Sequence, residues 1–523
     1  MSDLDTLRTG THNGHLMVAA LKRHRTKPVM HLGDTVLTGG ETADRISQYV
    51  QAFESLDAGR GTAGALLALN RPEVLFILGA GQTQGYRRTS LHPLGSLDDH
   101  AYVINDAGAR ILFVGHELVP TIDLIRDRLV GVERVVVVGG EHDELDAFLA
   151  SAEPVGRQPG VEPSDVCLVM YSSGTTGRPK GVMLTQHNMV EHTRNAKGDV
   201  EYGPDDTMLV AMPMFHVGGS SYALFGPATG THGYIIREVD PTLLAGAMAA
   251  GVTHAFLVPA VVAGLLQAGP QAMQLFSRLK VFSYGAAPMP LPVLRGALEH
   301  WPTTQFMQVY GMTEMGGVVT ILDDAAHRDE DHPERLVSAG RPIPGVELRV
   351  VDVATLRDVE PGQAGELWWR TEQSTVGYLG RPDATAELLQ DGGWLRSGDI
   401  GRVDDGGFVF IEDRVKDMII TGGENVYSPE VERVLAEHPA VLETAVIGVP
   451  DDTWGESVKA VVAFRPEHQI DPQELIDYAR ERLAHYKAPK SVDVVEALPR
   501  NPSGKILKRD LRKGYWPQDG RQV

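Results

Sequence analysis

The stretch Tyr171-Ser-Ser-Gly-Thr-Thr-Gly-Arg-Pro-Lys-Gly-Val182 combines glycines, hydroxyl groups and cations in one short loop. The apolar residues 165–170 before it predict a buried strand. Glycines allow backbone N–H groups to come close to an anion, hydroxyls add donors, and Arg178 and Lys180 offset negative charge. The loop therefore predicts a site for a polyphosphate at the end of a strand.

The loop differs from the Walker motif, which requires a hydroxyl residue directly after its lysine. Here Gly181 follows Lys180. A flexible Ser/Thr/Gly surface loop is the alternative for such a composition. The full pattern Tyr-Ser-Ser-Gly-Thr-Thr-Gly-x-Pro-Lys-Gly is more specific, and it resembles the phosphate-binding signature of the adenylate-forming superfamily. That superfamily contains acyl-CoA synthetases, peptide-synthetase adenylation domains and luciferases. The resemblance implies that ATP phosphates are bound by Ser172, Ser173, Gly174, Thr175, Thr176, Gly177 and Lys180.

Composition narrows the class of partner. The chain has 523 residues and a formal net charge of −21, which argues against binding to the phosphate backbone of nucleic acids. Its single cysteine, Cys167, cannot form an internal disulfide, which favours a reducing cytoplasm. No apolar run reaches the ~18 residues of a membrane span, so we expect no integral membrane segment. Peripheral contact with a membrane, and either a monomer or a homodimer, are compatible with the sequence.

The first 160 residues alternate between helical and strand-like patterns, which predicts a parallel α/β sheet with helices on both faces. Ile46, Tyr49, Val50 and Phe53 follow the spacing of an amphipathic helix. Strands are expected at 62–69, 110–114 and 134–138, and a helix at 119–129. This region resembles the superfamily least. Arg87 and Arg88 are interpreted as surface charges, with an altered contact particular to a subgroup as the alternative.

The segment Pro213-Met-Phe-His-Val217 follows a predicted strand. By itself, His216 is interpreted as a hydrogen-bonded histidine at a strand end. Pro-x-Phe-His resembles a signature of acyl- and aryl-CoA ligases, which implies that His216 lies beside the substrate carboxylate. Amino-acid-activating relatives have an Asp nearby, and residues 215–221 contain none. The sequence therefore argues against an amino-acid substrate.

Two later motifs extend the resemblance to the nucleotide. The strand that ends in Gly285-Ala-Ala287 leaves backbone uncovered for a flat ring, and the resemblance implies that adenine lies along Gly285, Ala286 and Ala287. In Gln308-Val-Tyr-Gly-Met-Thr-Glu314, Tyr310 can stack on a purine and Thr313 can donate to a phosphate. Glu314 is a hard oxygen ligand suited to Mg²⁺. The resemblance assigns Tyr310 and Gly311 to the nucleotide, and Thr313 and Glu314 to catalysis.

A β-rich subdomain is expected from residue 365 onwards. Within it, a tight turn at Ser397-Gly-Asp399 would let the Asp399 carboxylate accept both ribose hydroxyls, with an ordinary Asx turn as the alternative. Arg414-Val-Lys416 marks a change to a compact α+β tail. The resemblance implies that Arg414 contacts the ribose and that Lys416 is a pivot. We therefore expect an N-terminal ATP- and acyl-binding domain at 1–413, a hinge at 414–416 and a lid domain at 417–523.

The tail carries two further candidate sites. The resemblance implies that Gly422 and Gly423 line a pantetheine tunnel, and that Lys505 of the Pro-Arg-x-x-x-Gly-Lys loop bridges the substrate carboxylate and the α-phosphate. A solvated surface lysine is the alternative for Lys416 and for Lys505. Ser428 and Asp471 are predicted to cap the two tail helices.

Six motifs in the expected order, over roughly residues 160–510, predict a large N-terminal domain of packed α/β sheets with a β-rich subdomain and a small, mobile α+β lid. The resemblance implies an AMP-forming acid–CoA ligase that uses ATP, Mg²⁺ and coenzyme A on a fatty or aromatic carboxylic acid. The alternatives are an adenylating enzyme that loads a carrier protein, a luciferase-like oxygenase, and a non-catalytic nucleotide-binding protein. The sequence does not distinguish medium-chain, long-chain, aromatic and sterol-derived acids.

Overall fold

The computed structural model describes residues 13–140, 160–172, 178–196, 200, 202–203, 205–466, 468, 470–500 and 506–516. The chain forms two compact units. The first consists of Met1–Glu347 and Arg370–Leu395, and the second of Leu348–Trp369 and Arg396–Val523. The predicted hinge at 414–416 is a separate proposal about motion and stays a prediction.

The larger sheet of the first unit has nine strands, with a parallel centre and antiparallel edges. Its strands, in spatial order, are Arg341–Pro342, Gly317–Leu322, Gln305–Met312, Val281–Gly285, His254–Leu257, Thr207–Val210, His232–Ile235, Pro28–Leu32 and Thr35–Thr38. Parallel neighbours bring their carboxyl ends to one edge, which is where ligands bind in open α/β sheets.

The second sheet of this unit has six strands and carries the phosphate-loop strand near one edge. Its strands, in spatial order, are Arg134–Val138, Ile111–Gly115, Ala63–Leu67, Arg87–Ser90, Val166–Ser172 and Lys180–Thr185. The last pair is antiparallel, with Ser172 opposite Lys180, so the two ends of the phosphate loop lie side by side. The strands predicted at 62–69, 110–114, 134–138 and 165–170 are confirmed within two residues at each end.

Helices cover these sheets. Those of the first unit are Asn13–Arg23, Gly39–Ser55, Pro72–Gln84, Leu97–Asp106, Val119–Asp123, Gln186–Ala196, Val217–Thr229, Pro241–Ala249, Pro259–Gln267, Pro270–Phe276, Leu291–His300, Asp324–His327 and Pro382–Leu388. Short 3₁₀ turns lie at His116–Leu118, Arg126–Arg128, Thr313–Met315, Pro333–Val337 and Asp391–Gly393. The predicted helix with Ile46, Tyr49, Val50 and Phe53 on its buried face is confirmed. The helix predicted at 119–129 stops at Asp123.

The described strand pairs of the second unit are mostly antiparallel, and Gly455–Phe464 and Ser491–Val494 form a parallel pair. One five-stranded sheet contains Glu347–Val351, Gly365–Arg370, Trp394–Val403, Leu389–Gln390 and Val409–Arg414. A second five-stranded sheet contains Glu424–Val426, Ile419–Thr421, Gly455–Phe464, Val441–Asp451 and Ser491–Val494. The helices of this unit are Ser428–Ala436, Pro472–Arg480 and Lys508–Arg512. This α+β pattern confirms the predicted character of the tail.

The two predicted caps of the tail helices have different outcomes. Asp471 accepts a hydrogen bond from the Gln473 backbone N–H at 2.9 Å, so this cap is confirmed. The prediction for Ser428 is wrong. Its helix begins at Ser428 itself, and its hydroxyl donates to the Asp413 carboxylate at 2.9 Å. A buried carboxylate attracts the hydroxyl more strongly than the helix N-terminus does.

The interpretation of Arg88 as a surface charge is also wrong. Its side chain is 2% exposed, on the strand Arg87–Ser90, and burial lowers its pKa to about 10. No described residue accepts a hydrogen bond from any of its three guanidinium nitrogens. Arg87, on the opposite face, is half-buried and donates to the Ala107 carbonyl at 2.9 Å. Arg88 is thus a buried charge without a described partner, which is costly.

Replacing Arg88 by Met should raise the free energy of unfolding by about 1–3 kcal/mol, because a buried charge gives way to an apolar side chain of similar length. Arg87→Met is the matched control and should lower it by about 1 kcal/mol, because the Ala107 carbonyl loses its donor. Urea unfolding of the wild type and both variants measures these changes. If Arg88→Met loses as much stability as Arg87→Met, Arg88 is not the costly buried charge that we infer.

Candidate active site

Several predicted site residues lie at the carboxyl ends of strands in the first unit. Gly285 ends Val281–Gly285, and Tyr310 and Gly311 lie near the end of the adjacent strand Gln305–Met312. These two strands are parallel, with Gly285 opposite Val309. Their ends therefore meet at one edge of the nine-stranded sheet. This is the edge where the resemblance placed the nucleotide.

The Gly285–Ala287 segment forms an open backbone platform. A side chain on Gly285 would clash with the Val309 carbonyl of the neighbouring strand. Ala286 has a φ of 65°, a conformation that alanine rarely adopts, and both Ala286 and Ala287 are exposed. Strain of this kind persists where the surrounding structure fixes the backbone, often at functional sites. Ala286 and Ala287 are therefore accessible to a ligand, as the predicted contact with adenine requires, whereas Gly285 is buried.

Glu314 lies in the 3₁₀ turn Thr313–Met315, directly after the strand Gln305–Met312, and is 6% exposed. Its Oε1 atom accepts hydrogen bonds from the Ser172 hydroxyl at 2.9 Å and from the Tyr378 hydroxyl at 3.0 Å. A buried carboxylate requires such donors. The contact with Ser172 joins the Tyr-Gly-x-Thr-Glu motif to the phosphate-loop strand.

Backbone contacts fix the turn that carries Glu314. The buried Gln373 side chain donates to the carbonyls of Met315 at 2.9 Å and Val318 at 2.7 Å. The Thr375 backbone N–H donates to the Glu314 carbonyl at 2.8 Å. The His192 ring accepts from the Val318 backbone N–H at 3.2 Å. Because these groups hold the backbone on both sides of Glu314, its carboxylate has a defined position.

Tyr378 is a site residue that the sequence reasoning missed. Burial raises the pKa of its hydroxyl, and so does the Glu314 charge, which keeps this hydroxyl a neutral donor. Its ring centroid lies 5.1 Å from the Lys180 ammonium. The Gly377 carbonyl and the Leu379 N–H bond to the strand Lys180–Thr185, which places Tyr378 beside it. The contact of Tyr378 with Glu314 depends on how residues 377–379 pair with that strand, and the dipeptide Gly-Tyr alone gives no signal of it in the sequence.

Some predicted residues cannot be placed. Ser173, Gly174, Thr175, Thr176, Gly177 and Lys505 lie outside the described residues. Their assignments remain predictions from the sequence.

His216 precedes the helix Val217–Thr229 and lies in a cluster of three rings. Its ring centroid is 4.2 Å from that of Phe215 and 6.0 Å from that of His92. His216 is exposed to solvent, although protein atoms lie close around its ring. This partial desolvation lowers the pKa of His216, as does the neighbouring His92. The imidazole is therefore neutral near pH 7 and can donate a hydrogen bond to a carboxylate.

In the second unit, Asp399 and Arg414 form an ion pair. The Arg414 Nε and Asp399 Oδ1 atoms are 2.5 Å apart, and Asp399 is 2% exposed. The two residues lie opposite each other on paired strands. The predicted tight turn at Asp399 is wrong, because residues 397–399 lie within the strand Trp394–Val403, and Gly398 kinks that strand with a φ of 70°. The carboxylate and the guanidinium predicted to contact one ribose are thus adjacent.

Three further predicted residues of this unit are Gly422, Gly423 and Lys416. Gly422 and Gly423 form the turn between Ile419–Thr421 and Glu424–Val426, with φ values of 60° and 87°. A Cβ on Gly422 would lie 2.8 Å from the Trp454 ring, whereas Gly423 faces open space. Lys416 is half-buried, two residues beyond Arg414.

Comparison with known proteins gives the family. Residues 17–379 match the model of the AMP-binding enzyme, and residues 430–505 match that of the AMP-binding enzyme C-terminal domain. The chain belongs to the AMP-binding enzyme family. The predicted superfamily and α/β fold class are therefore confirmed. The match begins well before residue 160, so it includes the region whose sequence resembles the superfamily least.

Two curated relatives and one solved structure show the range of the family. The chain is 40% identical over 539 residues to the medium/long-chain-fatty-acid–CoA ligase FadD8 of Mycobacterium tuberculosis, covering 99% of this chain and 93% of that protein. It is 35% identical over 430 residues to the fatty acid–[acyl-carrier-protein] ligase ScoC of Streptomyces coeruleorubidus, covering 81% of each. ATP-bound MatB from Rhodopseudomonas palustris matches with a TM-score of 0.86 at 27% identity, covering 96% of this chain and 99% of MatB.

In the part of the chain that the structure describes, no helix is long and apolar enough to cross a bilayer.

The buried carboxyl group of Asp413 is expected to make the stability of this protein depend on pH. It lies directly before Arg414 and accepts hydrogen bonds from the Ser428 N–H at 2.6 Å and the Ser428 hydroxyl at 2.9 Å. Burial raises its pKa to about 6, although Lys508 and these donors oppose the shift. The folded state then binds more protons than the unfolded state between about pH 4 and 6.

We therefore expect this carboxyl group to contribute stability at acid pH that is lost as the pH rises through about 6, by at most about 3 kcal/mol. Asp413→Asn, which keeps an acceptor for Ser428, should remove this contribution. Unfolding measured from pH 4 to 8 for both proteins gives the difference. Parallel stability curves for wild type and variant would contradict the raised pKa.

Proposed function

We propose that this AMP-binding enzyme is an ATP-dependent carboxylic acid–CoA ligase. The acid attacks the α-phosphorus of ATP to give an acyl-adenylate and pyrophosphate, and the thiol of CoA then attacks the acyl carbonyl to give acyl-CoA and AMP. The observation that supports this most directly is the Glu314 carboxylate, held by Ser172 from the phosphate-loop strand and by Tyr378. This contact supports the proposal that a metal ligand lies beside the phosphates.

The hydrogen bonds of Glu314 leave one of its carboxylate oxygens suited to bind Mg²⁺. Both described donors reach Oε1, and within the described part of the chain no group donates to Oε2, so this hard oxygen can accept a cation. Glu314 would hold Mg²⁺, and the Thr313 hydroxyl would donate to a phosphate. When bound, the ion supplies charge neutralisation for the phosphates and the departing pyrophosphate.

Other side chains would perform the remaining electrostatic work of adenylation, in which one anion must approach another. We assign Lys180 and the donors of residues 172–177 to the phosphates. We assign Lys505 to the carboxylate and α-phosphate, and His216 to the acid. A neutral His216 can hold the carboxylate by a hydrogen bond without pairing so strongly that its attack is slowed. Positioning and preorganised charge are the expected source of the rate enhancement.

The nucleotide would lie with its adenine on Gly285–Ala287, beside Tyr310 and Gly311, and its ribose on Asp399 and Arg414. We propose that the C-terminal residues 417–523 move about a hinge at 414–416, so that Lys505 serves the first half-reaction. Gly422 and Gly423 would then line the pantetheine path in the second. Such a motion can limit turnover. The buried thiol Cys167, whose pKa burial raises to about 12, is consistent with a reducing cytoplasm as the location.

The acid is proposed to be fatty or aromatic. The helix that follows His216 carries Tyr222 and Phe225, which belong to one buried apolar cluster with Phe256 and Val309. Gly218 lies against Phe256 and leaves space there, because a Cβ on Gly218 would meet only the Phe256 ring, at 3.6 Å. Apolar surroundings of this kind favour an acid with an apolar body. The fatty-acid specificity of FadD8 supports the same class.

A second candidate function is the loading of an acyl carrier protein, which shares the first half-reaction and is supported by the similarity to ScoC. A panel of medium-chain, long-chain, aromatic and sterol-derived acids, assayed for AMP release with CoA or with a pantetheinylated carrier protein, tests both. Release that requires CoA supports the ligase. Release only with the carrier protein supports the second function. Absence of pyrophosphate exchange with every acid would overturn both.

Lys505→Ala should abolish adenylate formation, because no other cation is assigned to the carboxylate and α-phosphate together. Thioester formation from a pre-made acyl-adenylate should stay within about twofold of wild type, since Lys505 is assigned no contact in that step. Pyrophosphate exchange and single-turnover thiolation measure the two halves. Lys513→Ala, an exposed lysine of the same tail, is the control and should change neither. Equal loss in both halves contradicts the assignment.

Gly423→Leu should slow thiolation by about tenfold or more while changing adenylation little, because the new side chain would enter the proposed pantetheine path and would be strained at positive φ. Gly362→Leu separates the two causes. Gly362 also has a positive φ, 81°, and faces open space, but is assigned no contact with substrate. If Gly362→Leu slows thiolation as much as Gly423→Leu does, the slower thiolation is caused by backbone strain alone.

A further inference from the structure

The helix Leu97–Asp106 presents two polar side chains to the phosphate-loop strand region. Tyr102 and Asp106 are four residues apart, so they lie on one face of this helix. Both are half-buried. Neither belongs to a motif of the sequence, and neither has been assigned a role in the reaction proposed above.

Asp106 holds the chain that enters the loop. Its Oδ2 atom accepts a hydrogen bond from the Tyr171 hydroxyl at 2.7 Å, and Tyr171 directly precedes Ser172. Its Oδ1 atom forms an ion pair with Arg381 at 2.6 Å. Burial raises the pKa of the Tyr171 hydroxyl, as does the hydrogen bond to Asp106, so this hydroxyl remains a donor. Arg381 lies three residues after Tyr378, the residue that donates to Glu314.

Tyr102 holds the chain that leaves the loop. Its hydroxyl donates to the Pro179 carbonyl at 3.1 Å and accepts from Arg381 at 3.4 Å. The Arg178 guanidinium lies 4.9 Å from the centroid of the Tyr102 ring, within the range of a cation–π interaction. The Tyr102 and Tyr171 rings meet edge to face, with centroids 6.4 Å apart. One helix face thus contacts both flanks of the phosphate loop.

We infer that Tyr102 and Asp106 are positioning residues for the binding of ATP. They fix both ends of the phosphate loop and, through Arg381, tie them to the segment that carries Tyr378. The inference rests on the proposed function. Because Tyr171 and Pro179 are already held, the residues that flank the proposed phosphate site lose less conformational entropy when ATP binds, and this gain appears in the affinity for ATP. The affinity for the acid and the reaction with CoA do not depend on it.

The first test compares two carboxylates of the same helix. Asp106→Ala removes the acceptor of Tyr171 and the partner of Arg381. Asp98→Ala removes an aspartate that is also paired with an arginine, Arg128 at 2.7 Å, but that is far more exposed. We expect Asp106→Ala to raise the KM and the calorimetric Kd for ATP by about tenfold, the lower end for losing a hydrogen bond to a charged group. Asp98→Ala should leave both within about twofold.

The second test separates the hydroxyl of Tyr102 from its ring. Tyr102→Phe keeps the ring beside Arg178 and Tyr171 and loses the hydrogen bonds with Pro179 and Arg381. Tyr102→Leu loses the ring contacts as well. The Kd for ATP should rise in the order wild type, Tyr102→Phe, Tyr102→Leu, with the KM for the acid and the rate of thiolation from pre-made adenylate unchanged. A purely structural role would move these values together.

Three results are decisive. A selective rise of the ATP constants in Asp106→Ala and in the Tyr102 series supports the inference. Unchanged ATP constants in the Tyr102 variants and in a folded Asp106→Ala overturn it, and so does an equal loss for ATP, acid and CoA. If Asp106→Ala does not fold, Tyr102→Phe alone decides. A wild-type protein that binds ATP by calorimetry but adenylates no acid would reject the proposed function, while these Kd comparisons would still test the two residues.

Discussion

The site depends on one buried carboxylate with two donors from distant parts of the chain. The hydroxyls of Ser172 and Tyr378 donate to the same oxygen of Glu314, so its second oxygen can bind a cation. Withdrawing a carboxylate from water is costly unless hydrogen bonds replace the water. Those bonds hold three segments together: the end of the phosphate-loop strand, the 3₁₀ turn and the segment that carries Tyr378. The geometry at the edge of the proposed phosphate site therefore follows from the need to satisfy one buried charge.

The same principle explains how an acidic chain can bind a polyanion. With a net charge of −21, the overall field repels nucleotides, so attraction must be local. Near the phosphate loop, Arg178 lies over Tyr102, Lys180 over Tyr378, and Arg381 is paired with Asp106. Each cation is oriented by a ring or a carboxylate. Orientation of this kind places positive charge at the site without requiring a positive surface elsewhere.

Periodic patterns predicted the elements well, because the burial of one face sets the spacing of apolar residues. The helix around Tyr49 and the strand before Ser172 are examples. Two of the errors share a cause. Ser428 was expected to cap its own helix, but a buried carboxylate distant in sequence takes its hydroxyl. Arg88 was expected at the surface because charge favours water, but the sheet places that strand face in the core. Local preference cannot reveal such tertiary contacts.

For the site, motif matching assigned the residues that are proposed to touch ATP, but it gave none of those that hold them in place. Tyr378, Gln373, Tyr102 and Asp106 lie in no motif, since a positioning residue needs only to reach its partner and any suitable donor or acceptor suffices. Their contacts depend on which helix packs beside which strand. The helix with Tyr102 and Asp106 comes from the region whose sequence resembles the superfamily least. Divergence in sequence there is compatible with an essential contribution, because what the phosphate loop requires of that region is geometry.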